Sequence, residues 1–192
     1  NNFGDFCSLA QVPGFTITNK ADGEKIITSQ LISPGFRIIG VSQRLFNQEI
    51  LQVNNVYSNK DNTFFQYTRG NGATIVCFNF SFPCGWELYN KLKAKKINAS
   101  LFSVSAATPI KWDTILRNLK ITKNLIVIDD SKSKNFSCDN LLMNALEKCQ
   151  IDNKIIIKRD FDGKDWLFPN PDQLKINYNN IINQLSLKKQ RL

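Results

Sequence analysis

The chain has 192 residues, 42% hydrophobic, 11% aromatic and 21% charged, the composition of a globular protein able to bury roughly 70% of its unfolded surface in one good core or two small ones. It contains no histidine and no Cys-x-x-Cys pair, which excludes Ser-His-Asp or Cys-His nucleophilic systems and argues against a zinc site. The net charge of +9 raises an anionic partner, nucleic acid included, but charge speaks to association and not to fold.

In chain order, Phe15–Thr18 and Phe36–Ser42 read as strands, with a helix from about Asp22 to Ile32 between them. This βαβ unit is too small to form a domain alone. Residues 47–63 are polar and Asn-rich and read as a linker or surface crossing, and Phe64–Arg69 adds an edge strand to a second domain.

From Ala73 onward strand and helix alternate. Ala73–Phe80 is a β-branched and aromatic run fit for a buried strand. Pro83-Cys84-Gly85 reads as a turn before a helix over Trp86–Ile97, and Ser100–Ala106 is the next strand. Thr108-Pro109 supplies an N-cap and a proline at the first helical position. Trp112, Ile115, Leu116 and Leu119 then form a helical apolar stripe. Asn124–Ile128 is the third strand, closed by Asp129 and Asp130. Ser137 caps a helix with Leu141, Leu142, Ala145 and Leu146 on one face. Lys154–Lys158 is the fourth strand. A loop holding Pro169-Asn170-Pro171 leads to a last amphipathic helix with Leu174, Tyr178, Ile181, Ile182 and Leu185. This alternation predicts a three-layer α/β/α fold with a mostly parallel sheet, preceded by an incomplete βαβ piece.

The five cysteines (Cys7, Cys77, Cys84, Cys138 and Cys149) read as buried free thiols rather than a disulfide framework. The basic residues gather at Lys91, Lys93, Lys95 and Lys96, at Lys132 and Lys134, and at Lys188, Lys189 and Arg191, which reads as a solvated helix face and tail. The N-terminus has neither the basic start nor the apolar run of a signal peptide, and no stretch approaches the ~20 apolar residues of a membrane span, so the cytoplasm is the default. Without an initiator Met, the chain reads as a processed or trimmed piece of something longer.

Several strings resemble the transketolase-like family, which includes transketolase, deoxyxylulose-phosphate synthase and the beta subunit of pyruvate dehydrogenase. Ala73–Phe80, then Ile97, Ala99, Leu101, Val104, Pro109, Ile110, Asp113 and Ile115, occupy places comparable to those of the family's C-terminal domain. Asn124–Asp130 resembles its following strand, and residues 168–185 its last loop and helix. Val12–Ile17, Asp22–Ile32 and Pro34–Arg44 resemble the end of its pyrimidine-binding domain. The resemblance implies residues 1–46 as the tail of that domain, 47–63 as a linker and 64–192 as the C-terminal domain.

The resemblance also implies function. The whole enzyme would use thiamine diphosphate and Mg²⁺ to form a carbanion on the thiazolium carbon, the protein supplying position. The family's cofactor-activating Glu and its Gly-Asp-Gly…Asn-Asn motif have no counterpart here, since Asn1-Asn2 and Gly4-Asp5 stand in the wrong order and spacing. The expectation is a C-terminal part or subunit that is not catalytic alone, binds no cofactor by itself, and serves assembly. Its partner would be a copy of itself or a complementary subunit carrying the diphosphate-binding domain. A docking or regulatory interaction module, and a basic nucleic-acid-binding domain, are the alternatives.

The site residue implied by the resemblance is Arg44, as a substrate-phosphate contact beyond the second strand. A planar guanidinium that can donate two hydrogen bonds suits that role, and a plain surface Arg is the competing reading. Asp129-Asp130 reads as a helix cap or subunit contact, because neighbours in an extended chain face opposite ways. Gly70-Asn71-Gly72 reads as a turn. A base-stacking surface is one reading of Trp86, Trp112 and Trp166, but the first two lie on apolar helical stripes and read as core.

Overall fold

The computed structural model describes residues 3–42, 51–107, 110–131, 138–158 and 174–187. Thr108-Pro109, Ser137, Lys132, Lys134, Pro169–Pro171, Trp166 and the basic tail lie outside the described residues.

The chain opens with α1 (Phe3–Ala10), an element beyond those expected from the sequence, followed by β1 (Gly14–Ile17), α2 (Lys20–Leu31) and β2 (Ile38–Val41). β1 and β2 pair in parallel, Gly14 opposite Ile38 through Ile17 opposite Val41. One face of this pair lies under α1, whose Phe3 ring sits where side chains on Gly14 and Gly40 would project. α2 covers the other face, with Ile17 against Gly23.

The main sheet contains β3 (Tyr57–Ser58), β4 (Phe64–Thr68), β5 (Ala73–Phe78), β6 (Ala99–Val104), β7 (Asn124–Asp129) and β8 (Asn153–Ile157). Its order is β3-β4-β6-β5-β7-β8. The four strands from β6 to β8 run parallel, while β4 is antiparallel to β6 and β3 antiparallel to β4. The expected α/β class with a mostly parallel sheet is what forms. β3 falls inside the stretch read as a linker and pairs outside β4, so β4 is not the outermost strand.

The helices are α3 (Phe82–Ala94), α4 (Asp113–Thr122), α5 (Asp139–Lys148) and α6 (Tyr178–Leu187). Leu88 and Leu92 of α3 share one core with Ile181, Ile182 and Leu185 of α6, and with Phe15, Ile17 and Ile26 from the first unit. Ile115, Leu116 and Leu119 of α4 join Leu141 and Ala145 of α5 in a second core on the opposite face. Strands β5 and β6 are buried along their whole length, as parallel strands with helices on both faces must be. Trp112 is buried against Phe78, its indole N–H donating to Asn140 Oδ1 at 2.6 Å, and Trp86 packs between Phe82 and Tyr89.

Pro83-Cys84-Gly85 is not a turn ahead of a helix but the first turn of α3, with Phe82 as its first residue. Proline is tolerated there because the early N–H groups of a helix have no internal partner. Gly85 belongs there for a packing reason: a Cβ on it would lie 2.1 Å from Cys77 Sγ. The Gly70-Asn71-Gly72 turn is equally tight, a Cβ on Gly70 falling 2.5 Å from the Asn98 backbone. Asn118 and Asn124 donate to the Gly70 and Gly72 carbonyls and hold that turn in place.

Candidate functional site

In a doubly wound sheet the chemistry gathers outside the carboxyl ends of the strands, where the strand order reverses. Here β5 is flanked by β6 and β7, and the chain crosses over β5 between them. At and just beyond the ends of β5 and β7 lie Asn79, Ser81, Asp129, Asp130 and Ser131, all buried. Asn79 turns the chain with a left-handed φ of 55°, a conformation Asn tolerates better than most residues.

Asp129 accepts from Asn79 Nδ2 at 3.1 Å, from the Ser131 N–H at 2.9 Å and from the Cys138 N–H at 3.0 Å. Burial raises its carboxyl above the usual range, and these donors work against that rise. The Phe80 N–H donates to Asp130 at 3.4 Å. The Ser81 hydroxyl lies 2.8 Å from the carbonyl oxygens of both Phe78 and Ile128, tying the ends of β5 and β7. Asp129 therefore ties the Cys138 N–H, at the N-cap of α5, to the end of β7.

β1 docks beside this crevice. The Thr16 N–H donates to the Ser105 carbonyl at 2.7 Å, the Ala107 N–H to the Gly14 carbonyl at 2.9 Å, and Thr16 Oγ1 lies 3.3 Å from the Asn79 carbonyl. Ser105 Oγ is buried with no hydrogen-bond partner among the described residues.

A second polar cluster joins the first unit to the main sheet. Asn19 caps α2, its Oδ1 accepting from the Ala21 and Asp22 N–H groups at 2.9 and 3.2 Å. The Asp22 carboxylate accepts from Thr18 Oγ1 at 2.8 Å, the Asn19 N–H at 3.1 Å and Asn19 Nδ2 at 2.9 Å. The other Asn19 amide hydrogen goes to Tyr67 Oη of β4, 2.6 Å away. Burial raises Asp22 to about 6 against these donors, and burial together with the Asp22 charge pushes the Tyr67 hydroxyl up. Sequence reasoning misses this cluster, although Asn19-x-x-Asp22 is its signature, because the usual capping box closes with Glu or Gln.

Arg44, the nominated phosphate contact, lies outside the described residues, which end at Ser42 after β2. Lys91 and Lys93 sit on α3, where Lys91 pairs with Glu87 at 3.4 Å and Lys93 lies over the Tyr89 ring, an exposed helix face. Among the described residues no group of three or more His, Cys, Asp or Glu gathers to hold a metal. With Asp129 committed to main-chain N–H groups, these residues do not fit a diphosphate–magnesium site. No helix among them is long and apolar enough to cross a membrane.

The described residues thus define a three-layer α/β domain with buried, hydrogen-bonded polar side chains at the ends of β5 and β7. No family model matches the sequence. No curated protein does either. Solved structures do, transketolases among them. A split-gene transketolase, described as an inactive beta4 tetramer, superposes with a TM-score of 0.62 at 14% identity, over 92% of this chain and 56% of that one. Transketolase from Campylobacter jejuni subsp. jejuni NCTC 11168 gives 0.51 at 12% identity, over 90% of this chain and 24% of that one. A Pichia stipitis transketolase variant in complex with xylulose-5-phosphate gives 0.50 at 10% identity, over 70% and 21%. The fold is transketolase-like, as the sequence resemblance implies. The chain spans about half the length of the split-gene protein and about a quarter or less of the other two.

Proposed function

We propose that this chain is the C-terminal part or subunit of a thiamine-diphosphate-dependent transketolase-like enzyme, inactive alone and serving assembly. Residues 1–46 are the tail of a pyrimidine-binding domain, 47–63 a linker and 64–192 the C-terminal domain. The observation that carries this reading is the superposition on a split-gene transketolase over 92% of the chain. The hydrogen bonds of Asp129 to the Ser131 and Cys138 N–H groups, which join β7 to the start of α5, are consistent with a structural rather than ligand-binding role for that acid.

Thiamine diphosphate and Mg²⁺ belong to the complete enzyme, and the cytoplasm is its compartment. A copy of this chain, or a complementary subunit bearing the diphosphate-binding domain, is the partner. Arg44 is the residue of this chain that reaches the substrate phosphate.

Calorimetric titration of thiamine diphosphate with Mg²⁺ into the full chain tests this reading. The expected result is no saturable heat from the chain alone. Saturable binding would overturn the division of labour and place a phosphate site within this chain.

A further inference from the structure

The turn between β4 and β5 carries the chain's single Asn-Gly pair, Asn71-Gly72. Asparagine is thermolabile because its side-chain carbonyl lies within reach of the following peptide nitrogen, and attack by that nitrogen closes a five-membered imide. A side chain on the following residue shields the nitrogen, and glycine has none.

Packing is what places glycine there. A Cβ on Gly72 would lie 2.8 Å from the Asn98 carbonyl oxygen and 3.1 Å from Ile97 Cγ2. Nothing comparable calls for asparagine at position 71. Its φ is not left-handed, its side chain is exposed, and its amide makes no hydrogen bond among the described residues.

The same packing holds the reacting nitrogen away. The Gly72 N–H donates to the Asn98 carbonyl at 2.7 Å. Asn124 Nδ2 donates to the Gly72 carbonyl at 2.8 Å, and the Gly70 N–H donates to Ser100 Oγ at 2.9 Å. The next residue, Ala73, is fully buried and in register with Ala99 of β6. Imide closure needs the Gly72 nitrogen stripped of its proton and swung onto Asn71 Cγ, which breaks its bond to Asn98. A main chain held on both sides of that nitrogen cannot make the movement without opening the turn.

We infer that Asn71 is a self-modification site gated by folding, shut while the β4–β5 turn is closed and open once the turn is released. In the open chain a base takes the Gly72 amide proton, and the nitrogen forms a bond to Asn71 Cγ. The Cγ–Nδ2 bond breaks, and ammonia leaves carrying a proton. Water then opens the imide at either carbonyl, giving aspartate or isoaspartate. The net change is one water consumed and one ammonia released, with no oxidation. Either product puts a carboxylate at this position and lowers the net charge of +9 by one. Isoaspartate also lengthens the main chain by one carbon. A turn in which a Cβ on Gly70 would fall 2.5 Å from Asn98 has no room for that carbon, so the product cannot re-form the native turn. The pair therefore keeps a permanent record of each chain's unfolding.

Peptide mapping by mass spectrometry after incubation in mildly alkaline buffer reads the conversion, on the full chain folded and in guanidinium chloride. The expected result is conversion at Asn71 in the unfolded chain and a rate lower by on the order of tenfold or more in the folded one. Asn124→Ala removes one restraint on the turn. It speeds conversion in the folded chain by about two- to tenfold, the worth of one hydrogen bond, and leaves the unfolded rate unchanged. Amide exchange on the unaltered chain is a second reading, free of any folding defect in the variant: the Gly72 N–H exchanges slowly in the folded state. Equal rates in the two states, no conversion in the unfolded chain, a fast-exchanging Gly72 N–H, or a folded Asn124→Ala chain that converts no faster than its parent overturns the inference. The cofactor titration is unaffected by any of these outcomes.

Discussion

Gly85→Ala tests the packing of α3 on the sheet. In a helix this change normally stabilises by up to about 1 kcal/mol, because Ala restricts the unfolded chain and suits the helix. Here the new methyl would lie 2.1 Å from Cys77 Sγ and 3.1 Å from Leu101 Cδ1, against an ordinary contact of 3.4–4 Å. Leu101 Cδ1 ends a flexible side chain and can give a few tenths of an ångström. Cys77 is 1% exposed and packed within the core, so its sulphur has nowhere to go. Overpacking of this kind costs about 1–3 kcal/mol, enough to outweigh the helical gain. The net expectation is a loss of about 1–2 kcal/mol, or roughly 2–8 °C in Tm for a domain of this size.

The sign reverses if the sulphur is removed first. In a Cys77→Ala background the overlap is gone and Gly85→Ala stabilises. Urea unfolding of the four members of this cycle gives the coupling between the two sites, expected at about 1–3 kcal/mol. A Gly85→Ala loss of the same size with and without Cys77 would refute the contact as its cause.

Asp22 has a folded pKa of about 6, above its unfolded value, so the native state holds the extra proton and its share of stability falls as pH rises from about 4 to 6. In Asp22→Asn the midpoint of urea unfolding should vary less over that window than in the parent chain, and an unchanged slope would exclude Asp22 as its source. Tyr67→Phe leaves one buried Asn19 amide hydrogen without an acceptor and should lower stability by about 1–2 kcal/mol, measured by the same unfolding assay. In the reassembled enzyme, Arg44→Ala should raise KM for a phosphorylated sugar by on the order of tenfold or more while leaving a non-phosphorylated acceptor unaffected. Equal effects on both acceptors would remove Arg44 from the phosphate site.

The strands and helices from β5 onward are legible in the sequence because each is long enough to carry its own signal. Ile75–Phe78 and Leu125–Ile128 are unbroken apolar runs, and Ile115, Leu116 and Leu119 form a helical stripe whose period fixes the buried face. β1, α2 and β2 are legible in the same way. The start of α3 is not, because Pro-Cys-Gly is a turn signature locally, and only the closeness of Cys77 gives Gly85 its place in a helix. α1 goes unread although Asn2-x-x-Asp5 repeats the Asn-x-x-Asp pattern of α2 and Pro13 stands beyond its end, because eight residues carry little periodicity of their own. β3 exists only because β4 offers it an edge: two residues have no pattern of their own.

The long-range contacts of the polar clusters belong to the tertiary structure. Asn19 meets Tyr67 across 48 positions of sequence and Asn79 meets Asp129 across 50, separations at which composition and period carry no information. The sequence by itself determined the α/β class and the alternation of elements, because local periodicity decides which face of each element must be buried. Strand order and the docking of β1 beside the switch point were decided by packing, which chooses among the arrangements that satisfy the same pattern.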